Sequence, residues 1–138
     1  MAFWIGVVHR QQVLIAADKG FVSFSHGRES TLKTVVPGDR VIYYAPRSKP
    51  GGAPVQAFVA HATVTGDDME LRDFGGRPGH TRRAVYDDVT EVPVRPMLDD
   101  LDITRGATNW GGVFRGGKIG LGEADYRTIA SSMGVHLE

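Results

Sequence analysis

The sequence predicts an α+β domain: a closed or partly closed β-barrel of about six short strands with flanking helices. Three observations predict it. Short apolar or alternating runs recur along the chain with turn residues between them, the pattern of half-buried strands. One early segment and one near the C-terminal end carry helix signatures instead. Eighteen glycines in 138 residues suit a barrel with many tight corners.

The elements follow in order. Ala2 to Val8 (AFWIGVV) is an apolar run bounded by polar residues and reads as a buried strand. His9 to Lys19 places Val13, Leu14, Ala16 and Ala17 on one helical face, and Gly20 is a C-terminal stop. Phe21 to Ser25 alternates and reads as a short strand. Ser30-Thr31 caps a short helix through Val36. In the turn Pro37-Gly38-Asp39, proline pre-sets its φ and glycine permits a positive one. Arg40 to Ala45 (RVIYYA) is β-branched and aromatic, hence a strand, with Tyr43 and Tyr44 on opposite faces.

Pro46 to Pro54 (PRSKPGGAP) reads as a loop. Val55 to Val64 alternates as a strand, Gly66-Asp67-Asp68 turns, and Met69 to Leu71 is a short edge strand. Asp73 to Thr81 reads as a second loop, and Arg82 to Tyr86 and Val89 to Val94 favour strand. Met97 to Leu101 makes one helical turn, Thr104 to Gly112 is irregular, and Lys118 to Leu121 is a last strand. A final helix follows Gly122: Glu123 and Asp125 suit its positive N-terminal end, Ile129 and Met133 pair at i, i+4, and Gly134 stops it.

Length and composition narrow the function. Residues 1–138 fit one domain. With no cysteine, disulfides, thiolate metal sites and a cysteine nucleophile are excluded. Lys and Arg total 16 and Asp and Glu 16, so a strongly basic nucleic-acid coat is not expected. The charge is uneven, however. Lys and Arg lead by seven to three in residues 1–60 and trail by five to ten in residues 61–104. That permits a local anion-binding face. No signal-peptide pattern opens the chain and no apolar stretch approaches membrane-spanning length, so a cytoplasmic protein without a membrane partner is expected.

Catalytic patterns are missing. There is no phosphate-binding Gly-x-x-x-x-Gly-Lys-Ser/Thr, no Gly-x-Ser-x-Gly and no His-Glu-x-x-His. The histidines His9, His26, His61, His80 and His136 lack metal-ligand spacing, and the Asp-Asp pairs read as turns. The expectation is a binding domain, not an enzyme, with no catalytic residue, metal or cofactor. The informative residues are Trp4, His26-Gly27, Lys33, Tyr43-Tyr44, Pro46, Arg47, Phe58, Arg82-Arg83, Asn109-Trp110 and Phe114; Trp4 and the tyrosine pair sit on strands, and at most one of the two tyrosines lines a given pocket. Aromatic walls from strands with polar loop atoms beside them line a barrel mouth. Flat walls suit a nucleobase, at about 1–3 kcal/mol per stacked base.

The ordered set FWIGVV, GFVSFSHG, LKTVVPGDRVIYYAPR, QAFVAHATV, RRAVY, VPVRPML and ITRGATNWGGVFR resembles the EVE domain over nearly the whole chain, especially the stand-alone bacterial proteins of family UPF0310. The resemblance implies a PUA-like mixed β-barrel, related to YTH and ASCH domains. It implies recognition of a modified base (5-methylcytosine, 5-hydroxymethylcytosine or N6-methyladenine) turned out of DNA or RNA into an aromatic pocket. By position, Ser25, His26 and Gly27 and then Tyr44, Ala45, Pro46 and Arg47 match pocket-forming segments, with Val22 and Phe24 near the place of a cage aromatic.

On this reading the ligand-binding residues are Trp4, Val22, Phe24, Ser25, His26, Gly27, Tyr44, Ala45, Pro46 and Trp110, and Lys33, Arg47 and Arg83 meet phosphates. A methyltransferase, nuclease or RNA-processing protein is a compatible partner. Two alternatives stand beside it. One is a nucleotide- or nucleoside-binding protein or enzyme with His26 as base. The other is an interaction module of an RNA-modification or restriction system.

Overall fold

Hydrophobic alternation builds the centre of the sheet from β3 (Arg40–Arg47) and β4 (Pro54–Val64), which pair antiparallel. The computed structural model describes residues 1–74 and 76–137, apart from the side chain of Phe74. β1 (Phe3–Val7) lies parallel to β3, with Gly6 opposite Tyr43, and antiparallel to β8 (Lys118–Leu121). On the far side of β4 lie β6 (Arg77–Tyr86), and beyond it β2 (Phe21–Val22). β5 (Glu70–Phe74) pairs with β6, and β7 (Val92–Pro93) with β4. The result is a curled mixed sheet, a half-barrel, with α1 (Arg10–Lys19) and α2 (Glu123–Ser132) as its helices.

The α+β half-barrel is the class the sequence predicts, but the described residues hold eight strands rather than about six. The segment 73–81, read as a loop, mostly forms the β5–β6 hairpin, with Gly75 outside the described residues. Its Gly-Pro content hid a strand. Gly79 is buried where the backbone of Gly27 approaches, the situation in which a strand needs glycine. The strand read over Phe21 to Ser25 stops at Val22, because Ser25 and His26 take positive φ (49° and 60°) and enter a 3₁₀ turn, Ser25–Gly27. The helix read over 30–36 is a single 3₁₀ turn, Glu29–Leu32. β3 continues through Pro46 to Arg47 across a register shift, so that loop is shorter than its composition predicts. The run 89–94 keeps only two strand residues, Val92–Pro93, before the 3₁₀ turn Arg95–Met97.

The two faces of β3 carry two cores. Val41, Tyr43 and Ala45 join Val13 of α1, Phe24 and Leu32 on one side. Ile42 and Tyr44 join Ile5, Phe58, Phe114, the α2 residues Tyr126 and Ile129, and Met133 just after α2 on the other. The two-residue period of a strand sends adjacent tyrosines to opposite cores. Gly20 and Gly134 end the two helices with φ of 75° and 87°, conformations that glycine adopts without Cβ strain.

One buried polar chain ties β4 to α2. His61 is 1% exposed; its Nδ1 lies 2.6 Å from Asp87 Oδ2 and its Nε2 lies 2.8 Å from the Tyr126 hydroxyl. A carboxylate only accepts, so Nδ1 carries the proton and donates to Asp87, while Nε2 accepts from Tyr126. Burial lowers the His61 pKa from 6.5, and Asp87 only partly opposes it, with Arg40 assisting the burial effect. A depressed histidine stabilises the fold fully above its unfolded value and loses that contribution as pH falls through the folded one. The urea midpoint should therefore drop between about pH 7.5 and about pH 5. His61→Leu should flatten that drop while lowering the midpoint at high pH. An undiminished drop in the variant would assign it to other groups.

Candidate functional site

A cleft of about 740 Å³ opens at one end of the half-barrel, within the size range of small-ligand sites. Four chain segments converge on it. Val7, Val8, His9 and Gln12 come from the junction of β1 and α1. Ser23 to His26 follow β2, Pro46 and Arg47 end β3 with Lys49 and Pro50 in the turn after it, and Arg115 to Gly117 precede β8. Arg77, near the tip of the β5–β6 hairpin, completes the rim.

The local sequence explains why these segments meet. Tyr43 is buried under the segment after β2; its hydroxyl accepts from Ser23 N–H (3.1 Å) and donates to Ser23 C=O (2.8 Å). Gly6 leaves room for that ring, since a Cβ there would lie 2.5 Å from Tyr43 Cε1. Three successive residues with positive φ, Ser25, His26 and Gly27, then turn the chain sharply. Strain at non-glycine residues of this kind gathers at ligand sites, at about 1–3 kcal/mol each. Val7 N–H bonds Gly117 C=O at 2.9 Å and draws the last segment in beside Ser25.

Gly27 is the tightest point. A Cβ added there would stand 2.4 Å from Gly79 Cα, with φ at +81°. The obstacle is backbone, so it cannot swing aside. Gly27→Ala should cost about 2–3 kcal/mol, combining the positive φ with overpacking. Chemical denaturation measures it, and a loss below about 0.5 kcal/mol would show that the hairpin yields.

The cleft is basic. Arg47, Lys49, Arg77 and Arg115 line it together with His9 and His26, and no Asp or Glu is among its lining residues. Burial, and then the neighbouring His26, holds His9 below its ordinary pKa, so the imidazole is neutral at pH 7. Val7, Val8, Pro46 and Pro50 add apolar surface, and Phe24, 1% exposed, forms the floor. A basic rim around an apolar floor suits a ligand that is flat and anionic at once. The second cavity, about 750 Å³ beside His61, differs: Asp87 and Asp88 line it together with Arg40 and Arg127.

The residues singled out in the sequence divide between places. Phe24, Ser25, His26, Pro46 and Arg47 line the cleft. Gly27 lies buried beneath them against the β6 backbone. Val22 and Ala45 are fully buried in the α1-side core. Tyr44 faces the α2-side core, stacked on Phe114 at 4.2 Å. Trp4 donates from Nε1 to Asp39 (3.0 Å) under the ammonium of Lys118, and Trp110 packs on Phe114 with Arg95 over its ring. Neither tryptophan lines the cleft, and neither do Lys33 and Arg83, the latter paired with Glu70 at 2.8 Å. Sequence reasoning passed over His9, Gln12, Lys49, Arg77 and Arg115. The available signal was an arginine beside a glycine pair, in GGRPG and in FRGG.

A family model described as the EVE domain matches residues 2–120. The chain belongs to the EVE-domain family. Two relatives match it over nearly their whole lengths. It is 38% identical to a UPF0310 protein of Mesorhizobium japonicum over 97% of this chain and 93% of that one. It is 33% identical to a UPF0310 protein of Mycolicibacterium gilvum over 99% of both. Two solved structures share the fold: protein Atu2648 of Agrobacterium tumefaciens, with TM-score 0.60, 12% identity and coverage of 98% of this chain and 94% of that one, and Rpa0253 of Rhodopseudomonas palustris, with TM-score 0.57, 17% identity and coverage of 100% and 97%. EVE domains are PUA-like, and that nucleic-acid-binding superfamily supports a general nucleic-acid-binding role for this one. The relatives named here are not named as enzymes, consistent with a binding domain. Among the described residues, no helix of the EVE domain is long and apolar enough to cross a membrane.

Proposed function

We propose that this EVE domain reads a modified base, 5-methylcytosine, 5-hydroxymethylcytosine or N6-methyladenine, turned out of a DNA or RNA strand into the cleft. The observation that carries the reading is the cleft itself: four cations and no carboxylate around an apolar floor. The base settles over Phe24 between His26 and the prolines Pro46 and Pro50, and its methyl group meets Val7 and Val8. Arg47, Lys49, Arg77 and Arg115 take the flanking phosphates. The walls are imidazole and pyrrolidine rings rather than the tyrosine and tryptophan expected, since Tyr44, Trp4 and Trp110 are engaged elsewhere.

The domain binds and does not catalyse on this reading, and it works in the cytoplasm alongside proteins that write, cut or process modified nucleic acid. Extrusion costs a few kcal/mol and is cheapest for an unpaired base, so single strands bind better than duplexes. With two to three phosphates contacted, the slope of log affinity against log salt should lie between about −1.4 and −2.1 on single strands. Fluorescence anisotropy with short oligonucleotides, unmodified or carrying one modified base, tests this. A preference of tenfold or more, about 1.4 kcal/mol, for one modified base supports the reader. Equal affinity for all of them, or binding only to free nucleotides, contradicts it.

A further inference from the structure

Two side chains in the cleft hold enclosed nitrogens that nothing in the protein satisfies. His9 Nδ1 and Gln12 Nε2 have no hydrogen-bond partner, and both residues line the cleft. Among the described residues only Arg72 Nε shares that condition, and Arg72 does not line the cleft. Enclosed polar groups are normally bonded, so two exceptions in one cleft call for a reason. The fold does not lack the means to place them. His9 stands at the N-cap position of α1 without a side-chain capping bond, Gln12 N–H bonds His9 C=O at 3.1 Å, and Val8 and Gln11 N–H bond Tyr44 and Ser48 C=O at 3.1 and 2.9 Å. The start of the helix is therefore anchored to β3, and the two side chains, three residues apart, share one helical face.

We infer that His9 and Gln12 are the edge-reading pair of this cleft, hydrogen-bonding the Watson–Crick edge of an unpaired base; the inference rests on the base-reading function proposed above. That edge presents a ring nitrogen beside an exocyclic oxygen or amine. A primary amide offers both donor and acceptor, the pairing that glutamine makes with base edges. A neutral imidazole offers one donor and one acceptor nitrogen, so the pair can answer an edge of mixed polarity. In a duplex the same edge is occupied by the opposite base. The ligand is thus a base already single-stranded or extruded, and the discriminating groups are side chains at the start of α1 rather than backbone of the His26-Gly27 turn.

The test uses four fluorescein-labelled nine-nucleotide single strands with a central cytosine, 5-methylcytosine, adenine or N6-methyladenine. Wild-type affinities should spread at least tenfold across the four. Gln12→Leu and His9→Phe should each compress the difference between the cytosine and adenine strands to within about twofold, while leaving unchanged the gain from the 5-methyl group, which meets Val7 and Val8, and the salt slope, since the phosphate contacts persist. Gln12→Glu keeps the shape, replaces the donor with an acceptor, and suits the first turn of a helix; it should reorder the preferences. Thermal melting confirms that each variant is folded. A cytosine–adenine difference that survives in all three variants overturns the inference and leaves the base-reading function standing. A wild type that shows no spread overturns that function, and this inference with it.

Discussion

Asp39→Ala should cost about 3–5 kcal/mol of stability, the largest loss expected from any single substitution considered for this domain. The carboxylate is fully buried and accepts three hydrogen bonds, from Ala2 N–H (2.9 Å), Trp4 Nε1–H (3.0 Å) and Val36 N–H (3.1 Å). Truncation leaves those donors unanswered and removes the link between the start of β1 and the turn before β3. Burial pushes the Asp39 pKa up, but the bonds from Ala2, Trp4 and Val36 outweigh it and hold the group below 3.8. The sign follows. A depressed carboxylate stabilises the fold above its unfolded value, and that contribution fades as pH falls through the folded one. Urea unfolding at neutral pH measures the effect, and Asp39→Asn, which keeps one acceptor oxygen, should lose less. A loss below about 1 kcal/mol for the alanine variant would mean that water replaces the carboxylate and that the buried cluster is not a keystone of the sheet.

The second large effect is on binding. Reversing two rim charges, Arg47→Glu with Arg115→Glu, should weaken binding to a single-stranded oligonucleotide at least 100-fold at low salt, or about 2.7 kcal/mol. Both residues are exposed at the cleft rim, so the fold should tolerate the change. The salt slope should also fall by about 1.4 if each arginine neutralises one phosphate of a single strand. Arg83→Glu is the internal comparison. Arg83 is an exposed cation outside the cleft, paired with Glu70, and should change affinity less than threefold. Similar losses for the two variants would mean that attraction is spread over the whole surface rather than focused at the cleft.

The fold was legible wherever local chemistry and tertiary packing agree. The run RVIYYA alternates between two cores and had to be a strand with its tyrosines apart. Gly20 and Gly134 mark helix ends because only backbone geometry, not packing, is at stake there. The hairpin arm from Arg77 to Thr81 was hidden, because its glycine and proline read as loop residues until the backbone of Gly27 is laid against Gly79. That contact joins residues far apart in sequence, and no periodicity reports it.

The site was legible in half. Ser25, His26, Pro46 and Arg47 follow from strand ends and turns, and they meet in the cleft. Period-two alternation separates Tyr43 from Tyr44, but which one serves the cleft depends on where α1 and α2 pack. Here Tyr43 anchors Ser23 beneath the cleft and Tyr44 enters the α2-side core. Trp110 looked available because its loop is rich in glycine, yet Phe114 and Arg95 occupy its ring. Arg77 and Arg115 gain meaning only when the hairpin tip and the segment before β8 come to one rim.

Nucleic acid entering the cleft between α1 and the Ser25–Gly27 turn would leave a local footprint. The most direct measurement is a backbone amide NMR titration with a single-stranded oligonucleotide carrying one 5-methylcytosine. Shifts should concentrate at Val8, His9, Gln12, Ser25, His26 and Gly116–Gly117, with little change at Asp87, Asp88 and Arg127 around the second cavity. Shifts centred on that second cavity, or scattered evenly over the surface, would contradict it.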